Sequence, residues 1–536
     1  MSQKVPPRIP AGMRDILPDQ MVKRQYVLDV VRTVFERFGF EPLQTSAIEL
    51  TETLMGKYGE EAERLIYKAW YGDKPGGEFA LRYDLSVPLA RVVAMYPELL
   101  RPFKRYQIAP VWRADRPQKG RYREFYQCDV DIVGSANMLA DAEIVAVIYE
   151  TLNRLGFTDF TISINNRKLL DGIGQYAGVP ESLLAGLYRS IDKLDKIGVD
   201  GVRRELLMVG VPADPIEPLQ RVARLAIQGK LAAEEMRKYM VDNERIDPAL
   251  AEGVLEPLQR LVAEAREKNI PSGALQAVTR EMVGELAPQL RTYYSRRAEI
   301  IPTEVVDRLL DLLRISGPPA EVLGDLGKRL KDYPRALEGI AELRDLFTYL
   351  GEMGIPERAT ELNFSMVRGL EYYTGPIYET TIREPKAMPS ITGGGRYDKL
   401  IGMFTDVSCP ATGTSFGIER IIDAMDELGM FPPDIRATTA EVLVTVFDAS
   451  TVGESLRLVM ALRRDGINAS LYFDYNDRLG EQIGYAAAKG IPFVVILGPD
   501  EICAGQATIR ALGETRTEGD QRTVPFGEVA QTIRGW

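Results

Sequence analysis

The chain has 536 residues, 66 Lys and Arg against 77 Asp and Glu for a formal net charge of −11, with 45% apolar and 27% charged residues. That composition fits a water-soluble globular protein of roughly two to four domains and argues against a generic nucleic-acid coat, which needs a basic surface. It contains no histidine at all, which removes Ser/His/Asp triads, HExxH metal sites and imidazole general bases, and leaves arginine, carboxylate, tyrosine and lysine to carry any chemistry.

No apolar run approaches a membrane span, and the first residues are polar and broken by proline, so a cytoplasmic protein with no membrane partner is expected. Cys128, Cys409 and Cys503 are far apart and form no CxxC pair, which indicates neither a disulfide framework nor a zinc knuckle.

In chain order, the apolar spacing of Val27, Val30, Val31, Val34, Phe35 and Phe38 predicts a helix after Pro18, closed by Gly39. The stretch from Phe79 reads as a strand running into a helix whose cap region is Ser86-Val87-Pro88. Asp84, at the end of that strand, is either a partner of the helix N-terminus or a ligand carboxylate.

Between Arg101 and Arg123 stand Arg101, Lys104, Arg105, Arg113, Arg116, Lys119, Arg121 and Arg123 against the single acid Asp115. Such a cationic segment in an acidic chain points to a bound anion. Tyr106 to Trp112 and Tyr122 to Val133 read as the strands of a hairpin, with Pro117 and Gly120 in its loop. Forked guanidinium donors on rigid strands suit a phosphate, and Phe125 offers an aromatic face for a base. An exposed hairpin with solvated charges is the competing reading.

A helix over Ala140 to Leu155 and a strand over Phe160 to Ile164 follow. From about 174 to 357 strand patterns give way to helical ones, for example Glu304 to Arg314, interrupted at Gly317-Pro318-Pro319. Strand-like chain resumes at Glu361. It carries the segments VRGLEYYTG from Val367, GGGRYDKL from Gly393 and GTSFGIER from Gly413. Without a GxxxxGK[ST] signature the three glycines are no P-loop; they either admit close backbone approach to a ligand or make a turn. After a proline-marked break, 438–536 alternates strand and helix as a small α/β domain with a mixed sheet, read as a binding module.

GRYREFYQ behind Arg113, VRGLEYYTG, GGGRYDKL and GTSFGIER, in this order and with a helical insertion after the first, resemble histidyl-tRNA synthetase of the class II aminoacyl-tRNA synthetases, from GMRDILP at Gly12 to the C-terminal end. The resemblance implies an α+β protein: a class II antiparallel-sheet catalytic core at 1–173 and 358–430, a helical insertion at 174–357, and a C-terminal α/β anticodon-binding domain at 438–536. It also implies a homodimer that activates L-histidine with ATP and Mg²⁺ and charges histidine tRNA. A non-catalytic paralogue of the kind that regulates ATP phosphoribosyltransferase is the alternative.

By match to the family motifs, Arg113 and Arg368 would be catalytic at the α-phosphate. Arg113, Arg121, Arg123, Phe125 and Arg420 would bind ATP. Asp84, Ser86 and Gln127 would hold the α-amino group of histidine, with Asp131, Tyr373 and Tyr397 around the imidazole. Arg116, Gln118 and Lys119 would meet the tRNA acceptor end, and no residue is assigned to a metal. The family often has Glu where Asp84, Asp115 and Asp131 stand here. With no imidazole in the protein, a rate change near pH 6 is expected to come chiefly from the substrate.

Overall fold

The computed structural model describes residues 6–57, 63–70, 77–118, 120–179, 181–206, 217–244, 246, 248–267, 303–367, 372–386, 388–405, 407–433, 435–512 and 521–536. Its centre is an eight-stranded sheet. The strands are β1 (Glu41–Pro42), β5 (Phe103–Trp112), β6 (Glu124–Val133), β7 (Phe160–Asn166), β8 (Thr360–Leu362), β9 (Pro376–Ile382), β10 (Thr392–Arg396) and β11 (Ala411–Gly417). They lie in the order β1-β5-β6-β11-β10-β9-β7-β8. Pairing is antiparallel except at the two ends, where β1 joins β5 and β8 joins β7 in parallel. A small three-stranded sheet, β2 (Ile48–Leu50), β3 (Lys68–Ala69) and β4 (Phe79–Leu81), lies beside it in the order β2-β4-β3.

Alternation along β6 decides what each face of the sheet is for. Cys128, Val130 and Ile132 point to one face and join the main core with Tyr106, Phe416, Val31, Val34 and Phe35. Three helices cover that face: α1 (Pro18–Arg37), α3 (Met138–Arg154) and α4 (Ile418–Glu427), each contributing buried apolar residues to the same cluster. The intervening residues, Gln127, Asp129 and Asp131, point to the opposite face, and all three are buried there. Buried carboxylates require partners or a ligand.

The arginine hairpin forms as expected, with β5 starting three residues earlier, at Phe103, and β6 starting two residues later, at Glu124, than the aromatic pattern suggests. The glycine run is no turn: Gly393, Gly394 and Gly395 are a central strand, β10, paired on both sides. Helix α2 (Ser86–Met95) follows β4 as predicted, whereas α4 begins at Ile418, three residues ahead of the apolar run that signals it, and so takes Arg420 into its first turn.

The insertion is helical throughout its described part. Helices Arg167–Ala177 and Pro334–Glu352 frame it and touch closely: a Cβ on Gly172 would stand 2.3 Å from that of Ala336. Helices Glu217–Ile227, Met236–Asp242 and Pro248–Glu267 close round a core of their own, including Leu219, Met236, Met240, Val254 and Leu258. The C-terminal domain is a five-stranded mixed sheet of β12 (Val442–Val444), β13 (Ala469–Leu471), β14 (Phe493–Ile496), β15 (Gln506–Ala511) and β16 (Gln521–Pro525), ordered β13-β12-β14-β15-β16. Among the described residues no helix is long and apolar enough to cross a membrane.

Candidate active site

Register across four strands builds the floor of the site in rows. Arg105 of β5 pairs with Asp131 of β6, Asp131 with Gly413 of β11, and Gly413 with Gly395 of β10. The next row is Gln107, Asp129, Ser415 and Gly393; the one after is Ala109, Gln127 and Gly417. Charged and polar groups thus come from β5 and β6 while β10 and β11 leave room above them. That room is required: a Cβ on Gly413 would stand 2.0 Å from Asp131 Oδ1, and one on Gly395 2.9 Å from the Tyr373 ring.

Asp131 is the centre of the floor. Its Oδ1 accepts from the Tyr397 hydroxyl, and its Oδ2 lies 2.8 Å from Arg105 Nη2. Arg105 is 0% exposed and also donates to the Leu85 carbonyl at 3.1 Å. Tyr372 packs edge-on to Tyr373 at 5.2 Å and tilted against Tyr397 at 5.4 Å, so three tyrosines wall the Asp131 carboxylate. Asp84 accepts from the Val87 amide at 3.1 Å, the helix-partner role, and its charge also raises the Tyr372 phenol, after burial the largest cause. Its two alternative roles are compatible in one place. Ser86 opens α2 beside it. Gln127 donates to Ser415 Oγ at 3.0 Å.

Burial pushes the Asp129 carboxyl up to about 7 against the pull of Arg105, and Asp131 is raised from the same cause, again opposed by Arg105. Among the described residues, Arg105 Nε and Nη1, Asp129 Oδ1 and Gln127 Oε1 are buried without a hydrogen-bond partner. Unpaired donors and acceptors side by side on one sheet face are what a polar ligand would satisfy.

Further along the hairpin, Arg113 is fixed rather than waving. Its Nε donates to the Tyr83 carbonyl at 3.0 Å, and its guanidinium lies 4.3 Å from the Tyr83 ring centre and 5.2 Å from that of Phe125. Arg420 reaches the loop from α4, donating to the Gly120 carbonyl at 3.4 Å and the Ser390 carbonyl at 2.6 Å. Arg121 is exposed, 3.4 Å from Asp115. Arg123 turns to the N-terminal arm, donating to the carbonyls of Asp115 at 2.9 Å and Ala11 at 3.2 Å. Arg116 and Gln118 are exposed at the tip. Arg368 and Lys119 lie outside the described residues.

Four contributors receive no role from the motifs. Arg105 is counted in the basic run but indistinguishable there from Lys104, its neighbour on the other face, which pairs with Glu143. Ser415 lies in GTSFGIER without an assigned role, and Asp129 belongs to no quoted signature, although period two from Asp131 and Gln127 places Asp129 on the site face. Tyr372 stands next to Tyr373 in the same motif.

An antiparallel sheet carrying a rigid arginine hairpin with an aromatic beside it, and a walled polar pocket on the same face, defines a nucleotide-activating core of the class II synthetase type. The histidyl-tRNA synthetase family model matches residues 12–276 and 258–421, and an anticodon binding domain model matches 441–536. Histidine–tRNA ligases of Gloeobacter violaceus and Aeropyrum pernix are 37% and 36% identical to the chain, over 98% of it and 97% and 98% of themselves. The solved histidyl-tRNA synthetase of Nostoc superposes with a TM-score of 0.71 at 27% identity, covering 99% of this chain and all of that one. The chain belongs to the histidyl-tRNA synthetase family. Relatives of matching length share its long insertion, which is therefore no peculiarity of this protein.

Proposed function

We propose that this protein activates L-histidine with ATP and transfers the histidyl group to the 3′ end of histidine tRNA. The observation that carries the reading is Asp131, a buried carboxylate held between Tyr397 and Arg105 on the same strand, and the same sheet face, as Phe125 beside Arg113. A carboxylate so placed accepts an N–H from the imidazole, and amino acids that leave it unpaired are rejected.

In the first step an oxygen of the histidine carboxylate bonds to the α-phosphorus while the bond from that phosphorus to the bridging oxygen breaks, giving histidyl-adenylate and pyrophosphate. The nucleophile is already an anion, so no base has to take a proton and the lack of imidazole in the protein is no obstacle. What the chain must supply is alignment and positive charge. Arg113, anchored through Nε, has both Nη groups left for the α-phosphate, and Arg368 of the VRGLEYY motif would add a second cation. Phe125 and Arg420 would hold the adenine, with Arg121 and Arg123 towards the phosphate tail. Asp84, Ser86 and Gln127 would bind the α-ammonium, and Tyr373 the ring with Asp131. In the second step the terminal hydroxyl oxygen of the tRNA bonds to the acyl carbon, the bond from that carbon to the phosphate oxygen breaks, and the hydroxyl proton passes to the phosphate of the departing AMP.

Mg²⁺ would arrive on the ATP phosphates, which neutralise it without a dedicated protein cage. The exposed Arg116 and Gln118, with Lys119 next in sequence, would meet the acceptor end, the C-terminal domain the anticodon, and two copies would form the working cytoplasmic enzyme. The test is ATP–pyrophosphate exchange with each amino acid in turn. Histidine is expected to stimulate it above all others, and stimulation by a different amino acid, or by none, overturns the reading.

A further inference from the structure

Arg105 and Asp129 have no role in the activation scheme, yet both are more deeply buried than most of the groups that do. Arg105 is 0% exposed and Asp129 3%. Sequestering charges to this degree is costly unless they are paired and hydrogen-bonded. Here the pairing is uneven. Asp131 and Asp129 share the Arg105 guanidinium, and Asp84 adds its charge to both. Buried Arg82 also attracts Asp129, but it donates to the carbonyls of Thr45, Ser46 and Pro110.

The register explains the sharing. Arg105 stands directly opposite Asp131, and Asp129 is its diagonal neighbour on β6, within reach of a long side chain. One edge of the guanidinium is taken by Asp131 and by the Leu85 carbonyl that precedes α2. Its remaining atoms, Nε and Nη1, have no hydrogen-bond partner among the described residues, and neither has Asp129 Oδ1. The Asp131 carboxylate cannot turn freely: Tyr397 holds Oδ1, Arg105 faces Oδ2, and the missing side chain of Gly413 is the space it occupies. Its direction is thus set from the side, by a residue in the same row of the floor.

We propose that Arg105 is a positioning residue that aims the Asp131 carboxylate at the substrate ring, and that Asp129 keeps this floor anionic so that it selects a basic, N–H-donating ring. The assignment rests on the histidine-activating reading above. Arg105 divides its charge between two carboxylates, which leaves Asp131 free to attract a donor instead of being neutralised in a one-to-one pair. A ring that presents an acceptor or binds protons weakly gains less there. Specificity of this kind comes from the charge beside the contact residue as well as from the contact itself.

The experiment is steady-state pyrophosphate exchange at a pH of about 8, where Asp129 is ionised, with the full-length wild type and with Asp129→Asn, Arg105→Lys and Arg105→Gln, each with melting temperature recorded. Asp129→Asn is expected to raise KM for histidine by about tenfold or more with KM for ATP unchanged. Arg105→Gln is expected to raise it further, and Arg105→Lys, which keeps the charge but loses the fork, to recover part of the loss. A purely structural role would lower the melting temperature and the active fraction while leaving KM for histidine in place, and that result overturns the inference. A measurement on the wild type needs no variant: 1,2,4-triazolylalanine, whose ring is far less basic than imidazole, is expected to compete with histidine at least about tenfold more weakly than histidine itself binds. Equal competition overturns the anionic floor. If the wild type fails to activate histidine at all, the activation reading fails instead, so the two failures are distinguishable.

Discussion

Glu419, in the first turn of α4, meets Arg24 of α1 across 395 positions of sequence, with both side chains only 7% exposed. Arg14 of the N-terminal arm binds the other carboxylate oxygen and lies 3.8 Å from the centre of the Tyr122 ring. One carboxylate therefore ties the arm and the first helix to the helix that carries Arg420. Glu419→Ala leaves a buried guanidinium without its partner, and a loss of about 3–5 kcal/mol is expected. Urea unfolding measures it, and a weakened KM for ATP should accompany it through Arg420.

Gly413→Ala is the least change that reaches the pocket floor. The new methyl must displace the Asp131 carboxylate or the Val130 carbonyl, which would lie 2.7 Å from it. Overpacking of this kind costs about 1–3 kcal/mol. The expected signature is a rise in KM for histidine that exceeds any change in KM for ATP, read by pyrophosphate exchange at saturating ATP.

The two halves of the hairpin should separate in function. Arg113→Ala removes the cation proposed to meet the α-phosphate, and adenylate formation is expected to fall by about a hundredfold or more. Gln118→Ala leaves the backbone pair between Gln118 and Arg121 intact, at 3.1 and 2.9 Å, because both bonds are main-chain. Exchange should be unchanged and only tRNA charging weakened; loss of both steps in this variant would refute the division.

Asp129 modifies the expectation that near-neutral titration belongs to the substrate alone, since a protein carboxyl sits at about 7. Because its folded value is raised, the folded chain holds a proton that the unfolded chain releases near pH 4, so this residue's contribution to stability falls as pH rises from about 4 through about 7. Asp129→Asn has no proton to lose there. The melting temperature of the variant relative to wild type should therefore climb between pH 5 and 7 and level off above, whatever constant offset the substitution brings.

Much of this was legible in the residues, because local patterns carry it. The aromatic alternation of β5 and β6, the apolar stripe of α1 and the strand and helix alternation after 438 each record burial on one face. Arg113, Phe125 and Asp131 lie in motifs whose spacing survives folding. What the sequence could not show is register. Arg105 and Lys104 are adjacent basic residues in a basic run, and only the pairing of β5 with β6 sends one to the pocket and the other to Glu143. The glycine run misleads for a related reason: Gly393 to Gly395 have the composition of a turn, and their use as a strand follows from side chains on neighbouring strands that need the space.

The order of strands also sets a timetable. β6 is complete by residue 133, but its other neighbour, β11, begins at Ala411, and β7 waits for β9 at Pro376. During synthesis the edges of β6 and β7 stand bare for on the order of tens of seconds at usual elongation rates, while the helical insertion emerges after them and before β9 and β11. Unpaired edges invite association with other chains. A nascent chain stopped at residue 405 is accordingly expected to sediment or to be held by chaperones, and one stopped at residue 430 to remain in the supernatant. The long insertion thus lengthens the interval in which the enzyme depends on protection from its neighbours.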